Sequence, residues 1–336
     1  INMIIKQLEQ KIKGKGIRIV LTEGWDVREM EAALELAKNG VVQPILLGDL
    51  DAVQACADKA GYDISNLEVI DPAKYDKMDE MVAKMVELRK GKLDEETAKK
   101  WALQTNYFGT MLVKMGYADG LVGGATYSTA DTVRPALQLV KTKPGSKLVS
   151  SSFILVRGDE KYVCGDCAIN IDYQDTVKDG VVVQKAAEKL AEVVVETAKT
   201  AMVFGIEPKV AVLSFSTKGS GKKGTVDLSR EATIIAQQMA PEIAIDGELQ
   251  FDAAVAPEVA KTKCPDSKVA GQANTFIFPN IEAGNIGYKM AQRLGGFEAI
   301  GPILQGLNAP INDLSRGCTA EEVYKLAVIT AAQSLN

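Results

Sequence analysis

The 336 residues predict an α/β fold with a largely parallel sheet, divided between two domains. Short apolar runs alternate with long amphipathic segments, the pattern of strands each followed by a covering helix. A hydrophobic share of 46% against 25% charged is enough, at this length, to bury two cores. The stretch Lys141-Thr142-Lys143-Pro144-Gly145-Ser146 interrupts the alternation, because Pro-Gly ends a helix and opens a polar crossing.

In chain order, apolar runs predict strands at 17–22, 42–47, 67–70, 120–123, 148–156, 162–168, 209–214, 275–278 and 297–304. Amphipathic segments predict helices at 26–39, 50–60, 78–90, 95–115, 128–140, 185–204, 228–239, 285–294 and 320–335. The segment 185–204 is apolar around much of its circumference, which predicts burial between layers. A second boundary is expected at Gly295-Gly296, so the first domain comprises 1–145 plus 297–336 and the second, 146–296, is inserted into it. The active site is expected in the cleft between two such domains.

Charge and composition exclude several function classes. A formal charge of −5 and a pI of about 5.2 argue against a nucleic-acid or anionic-membrane partner, whose footprint is basic. No segment approaches the ~20 continuous apolar residues of a membrane span. The start, Ile1-Asn2-Met3-Ile4-Ile5-Lys6, lacks a signal peptide's charged, apolar and cleavage regions. Five scattered cysteines suit reduced thiols, and the two readings together predict a cytoplasmic protein. There is no histidine, which removes the commonest general base and the commonest neutral metal ligand.

The most informative stretch runs from Gly301 to Cys318. A short strand feeds a Gly-, Asn- and Pro-rich loop that presents Ser315-Arg316-Gly317 just before a helix. A hydroxyl, a planar fork of guanidinium donors and a helix start together suit an anion. The competing reading is a surface ion pair for Arg316 and a turn cap for Ser315. Thr319-Ala320-Glu321-Glu322 is a capping box, so Glu322 serves either as a helix cap or as a general base six residues after Arg316.

The turn from Leu121 to Ser128 joins a strand to a helix carrying Arg134. Gly123 and Gly124 permit close backbone approach, and the helix start offers donors. Ser128 is equally suited to be the N-cap of that helix, and Arg134 to pair with a carboxylate. On spacing alone Arg89 belongs to a solvated helix end.

Two further motifs point elsewhere. Cys164-Gly165-Asp166-Cys167 lacks the second pair or the histidines a zinc site needs, so no metal is predicted and two buried thiols are expected. The basic loop 214–224 does not fit the triphosphate-binding pattern G-x-x-x-x-G-K-[ST]. It suits a resting place for a phosphate-rich cofactor or a plain mobile loop.

Taken together, Asp119–Gly124, Asp166–Asn170, Leu213–Gly219, Asp246–Ala254, Glu282–Lys289 and Gly301–Cys318 resemble the phosphate acetyltransferases in their short bacterial form, in the right order along nearly the whole chain. The resemblance implies two α/β domains of the isocitrate-dehydrogenase-like type, with a cleft between them, assembled as a homodimer. It implies reversible acetyl transfer between acetyl phosphate and coenzyme A, with coenzyme A as substrate and no permanently bound cofactor. Carried over by motif, the catalytic pair falls on Ser315 and Arg316, and the cleft arginines on Arg134 and, from a weaker local match, Arg89. Gly123, Gly124 and Ser128 fall in the substrate-binding turn. The catalytic aspartate falls on Glu322, a departure that keeps the carboxylate and lengthens its arm. Phosphate butyryltransferase is the nearest alternative, followed by a dehydrogenase on the related fold and a non-catalytic coenzyme A sensor.

Overall fold

A computed structural model describes residues 2–336. The chain opens with helix α1 (Met3–Ile12), strand β1 (Arg18–Leu21), α2 (Val27–Asn39), β2 (Gln43–Leu47), α3 (Leu50–Ala60) and β3 (Glu68–Ile70). It continues through α4 (Met78–Arg89), α5 (Glu95–Ala102), α6 (Thr105–Lys114), β4 (Gly120–Gly123) and α7 (Thr129–Pro135). Next come β5 (Ser150–Arg157), β6 (Glu160–Gly165), β7 (Thr176–Lys178), β8 (Val181–Gln184), α8 (Ala186–Val203), β9 (Lys209–Leu213) and α9 (Val226–Met239). The last group is β10 (Ala244–Leu249), α10 (Phe251–Val255), α11 (Pro257–Lys263), β11 (Thr275–Ile277), α12 (Ile281–Arg293), β12 (Glu298–Gln305), β13 (Ile311–Asp313) and α13 (Ala320–Gln333).

These elements form two compact units, one of Ile1–Pro144 with Leu307–Asn336 and one of Gly145–Gly306. The first contains an all-parallel sheet in the order β13-β4-β1-β2-β3. Alternate residues of its strands face opposite helices, as the pleat requires. A Cβ added at Gly109 of α6 would meet Val20 and Leu121 at 2.9 and 3.0 Å. One added at Gly120 would meet Thr330 of α13 at 2.7 Å and Ile19 at 3.2 Å. Because Val20 lies beside Leu121 and Ile19 beside Gly120, α6 covers one face and α13 the other. The strand run Ile19-Val20-Leu21 is fully buried between them.

The second unit holds a six-stranded mixed sheet, β10-β9-β11-β6-β5-β12, with β5 antiparallel to both of its neighbours. Helix α8 packs against it with Leu190, Ala191, Val193, Val194 and Ala198 buried, as its apolar circumference predicts. A separate hairpin pairs β7 with β8.

The units divide at Gly306/Leu307 instead of Gly295-Gly296. Strand β12, which the sequence assigns to the first domain, pairs along its length with β5 of the second unit, Glu298 opposite Val156 through Gln305 opposite Ser150. The strand that feeds the Ser-Arg loop is instead β13, only three residues long. Its middle residue, Asn312, is buried and donates to Thr330 Oγ1 and Gln333 Oε1 at 2.8 and 2.7 Å. The helix expected at 95–115 is two, α5 and α6, separated at Leu103-Gln104. The helix expected at 128–140 changes to a wider π turn over Ala136–Val140, directly after Pro135, which has no N–H to donate.

Candidate active site

Three neighbouring strands of the first unit, β1, β4 and β13, end on one side of the sheet. Parallel α/β sheets commonly bind ligands beyond the carboxyl ends of their strands. Each strand runs straight into a segment carrying charged or polar groups: Thr22–Arg28, Gly124–Ser128 and Leu314–Cys318.

The last two segments abut closely. Leu314 N–H donates to Gly123 O at 2.7 Å, and Thr129 Oγ1 donates to Asp313 Oδ2 at 2.8 Å. Gly124 has φ +112°, and a Cβ there would lie 2.5 Å from Asp313 Oδ1 and 2.6 Å from Leu314 O, so this backbone approach requires glycine. Asp313 is buried, and burial raises its carboxyl to about 6 despite the Thr129 hydroxyl that holds it down.

From this platform Ser315 and Arg316 project into solvent. Ser315 Oγ accepts from Gly317 N–H at 3.2 Å, and its carbonyl accepts from Cys318 N–H at 3.0 Å, so the loop is a tight turn ahead of α13. The Arg316 guanidinium has no hydrogen-bond or ion-pair partner among the described residues. Glu322 forms the predicted capping box: its Oε2 accepts from Thr319 N–H at 3.2 Å while Thr319 Oγ1 accepts from Glu322 N–H at 3.1 Å. The carboxylate is exposed, so capping leaves it open to solvent.

Ser128 caps α7, accepting from Asp131 N–H at 3.1 Å. Arg134, half exposed, pairs with Asp131 at 3.2 Å. Arg89 is half-buried instead of solvated. Its Nη1 makes a long bond of 3.4 Å to Gln138 O, and its Nε is buried without a partner. Burial pushes the Tyr107 hydroxyl up while the nearby Arg134 and Arg89 charges draw it down, and it donates to Gln138 Oε1 at 2.9 Å. The structure thus gathers Gly123, Gly124, Ser128, Ser315, Arg316 and Glu322 around two adjoining loops, and Arg134 and Arg89 around Tyr107. Asp131 connects the two groups through α7, giving its N–H to Ser128 Oγ and its carboxylate to Arg134.

The segment after β1 escaped sequence reasoning. Glu23 is fully buried, and its Oε1 accepts the N–H groups of Gly124, Thr126 and Tyr127 at 3.0, 3.1 and 3.1 Å. Burial alone would raise its carboxyl. Hydrogen bonds from Glu29, Thr22, Thr126 and Tyr127 outweigh that and hold it low, in the charged form. Glu29 is fully buried beside it, and burial first, then the Glu23 charge, push it well above the carboxylate range. The donors that the sequence assigned to a ligand in the Gly123–Ser128 turn are therefore largely taken up by Glu23. The available signal was a Glu directly after an apolar strand, where a buried charge needs backbone donors.

The basic loop 214–224 is likewise held by acids: Ser216 Oγ and Gly219 N–H donate to Glu248 at 2.7 and 2.9 Å, and Lys218 donates to Asp246. Cys164 and Cys167 are buried free thiols. Burial raises Cys164 to about 12.

Comparison with known proteins agrees over the full chain. Residues 3–331 match the family described as phosphate acetyl/butaryl transferase. The chain is 54% identical over 334 residues to phosphate acetyltransferase of Bacillus subtilis, and 53% identical over 336 residues to that of Staphylococcus aureus, covering 99% of both partners in each case. It superposes on a phosphotransacetylase from Streptococcus pyogenes with a TM-score of 0.94 at 53% identity, covering 100% of this chain and 99% of that one. A branched-chain phosphotransacylase from Enterococcus faecalis, 18% identical with a TM-score of 0.67, shares the fold. On this evidence of sequence and fold together, the chain belongs to the phosphate acetyl/butaryl transferase family of acyltransferases.

Proposed function

We propose that this acyltransferase moves acetyl reversibly between acetyl phosphate and coenzyme A, by direct attack of the coenzyme A thiolate in a ternary complex. The observation that carries the reading is the exposed, unpartnered Arg316 beside Ser315, on a loop buttressed by buried polar contacts in a chain 54% identical to a phosphate acetyltransferase.

A free thiol has a pKa of roughly 8.5, so only a few per cent is thiolate at neutral pH. Glu322, exposed on the first turn of α13, takes the thiol proton. The sulfur attacks the carbonyl carbon, and the tetrahedral intermediate collapses with cleavage of the bond from that carbon to the phosphate oxygen. Arg316 holds the phosphoryl oxygens and stabilises the departing phosphate, while Ser315 donates to the developing oxyanion. Arg134 holds the phosphoryl oxygens together with Arg316, and Arg89 is a further cation for the phosphates of the substrates. Gly123, Gly124 and Ser128 shape the substrate-binding turn, the glycines by letting the backbone of Asp313-Leu314 come close.

Assembly as a homodimer is part of the proposal. It is supported by the β7–β8 hairpin, whose Val177, Val181, Val182 and Val183 are 43–62% exposed. A cytoplasmic location is supported by five cysteines that are all free thiols. No helix among the described residues is long and apolar enough to cross a membrane.

Acetyl-CoA and butyryl-CoA formation, measured in parallel from the two acyl phosphates with purified protein, tests the reading. Acetyl phosphate is expected to react faster, by about tenfold or more. A preference for butyryl phosphate would give the site to longer acyl chains, and turnover of neither would remove acyl transfer from this chain.

A further inference from the structure

Arg28 stands at the second helical position of α2, where a cation opposes the positive end of the helix dipole. Its side chain compensates elsewhere. Nε and Nη2 donate to the two carboxylate oxygens of Asp26 at 3.0 and 2.9 Å. Nη1 donates to Arg316 O at 2.7 Å and to Cys318 O at 3.0 Å. The remaining Nη2 hydrogen goes to Ala125 O at 2.9 Å. All of the guanidinium's five N–H donors are therefore engaged within the protein, three of them on backbone carbonyls of the two loops that adjoin at the site. Asp26, 13% exposed, fixes the plane of the fork, and its charge holds Arg28 protonated.

We propose that Arg28 is a positioning residue for the Ser315-Arg316 pair: it clamps the Arg316 and Cys318 carbonyls to the Ala125 carbonyl and thereby fixes the direction in which the Arg316 side chain leaves the loop. The inference rests on the reading of Ser315 and Arg316 as the reacting pair. With every donor occupied, Arg28 has none left for a substrate phosphate. A lysine there would keep the charge but, with three donors on one nitrogen, could not span three carbonyls and a bidentate carboxylate.

Steady-state kinetics of acetyl-CoA formation and amide hydrogen exchange on wild type and Arg28→Lys test this together. Arg28→Lys should lower kcat by about tenfold or more with KM for both substrates within about threefold, because a displaced reacting group is felt in the transition state. The amides of Gly317 and Cys318 should exchange faster in the variant, by about tenfold. For Arg28→Ala, low, non-denaturing guanidinium should restore part of kcat, a rescue that general destabilisation would not give. An unchanged kcat, unchanged exchange, or a KM rise with kcat preserved would each overturn the clamp, the last by making Arg28 a substrate ligand. If wild type makes no acetyl-CoA, the proposed function fails. The exchange data then still decide whether Arg28 holds the loop.

Discussion

Arg28 and Arg316 meet at one loop and are used in opposite ways. Every donor of Arg28 is engaged inside the protein, while the guanidinium of Arg316 faces solvent with none engaged. That difference, and not residue type, is the ground for proposing Arg28 as a support and Arg316 as a reacting group. Glu322 is a cap that stays open to solvent, since one carboxylate oxygen caps α13 and the group as a whole is exposed. Glu322→Gln retains an oxygen for the Thr319 N–H but cannot accept a proton. If Glu322 is the base, kcat falls by about a hundredfold and the acid limb of the pH–rate profile disappears. A full rate with an unchanged profile would leave Glu322 as a cap.

At the scale of elements, the site is built where β1, β4 and β13 end, and each end carries a buried carboxyl or a glycine. Asp313 closes β13 against Gly124, with its Oδ1 buried and unpartnered. Its carboxyl, at about 6 against an ordinary 3.8, binds a proton more readily in the folded state than in the unfolded one. The stabilisation this gives is present below about pH 4 and is lost as pH rises through about 6, a difference on the order of 3 kcal/mol. Thermal melts of wild type and Asp313→Asn at several pH values check the sign. The variant's melting temperature should gain on wild type as pH rises from about 4 to 7. A difference that stays constant, or one in which the variant loses ground to wild type as pH rises, would contradict the assignment.

Across the whole molecule, the parts legible in the sequence are those written in periodicity and composition. The apolar runs that became β1, β2 and β9 and the all-round apolar helix α8 were visible because burial dictates residue type directly. Strand β13 was not, because Asn312 and the Oδ2 atom of Asp313 find their partners far away, in Thr330, Gln333 and Thr129, which no local window contains. The second boundary was misplaced for a related reason: the antiparallel pairing of β12 with β5 joins residues far apart in sequence. At the site, Ser315, Arg316 and the Glu322 cap could be read from the loop itself. Glu23 and Arg28 could not, since each works on backbone atoms about a hundred residues or more away.

The central claim is that the exposed Arg316 beside Ser315 carries the chemistry. The most direct test is kcat for acetyl-CoA formation from acetyl phosphate and coenzyme A by wild type and Arg316→Ala, with circular dichroism to confirm that both are folded. The expected result is an active wild type and a loss of about a hundred- to a thousandfold in the variant, the cost of removing one preorganised donor group from a transition state. Near-normal turnover by folded Arg316→Ala would contradict the claim and move the chemistry to another part of the chain.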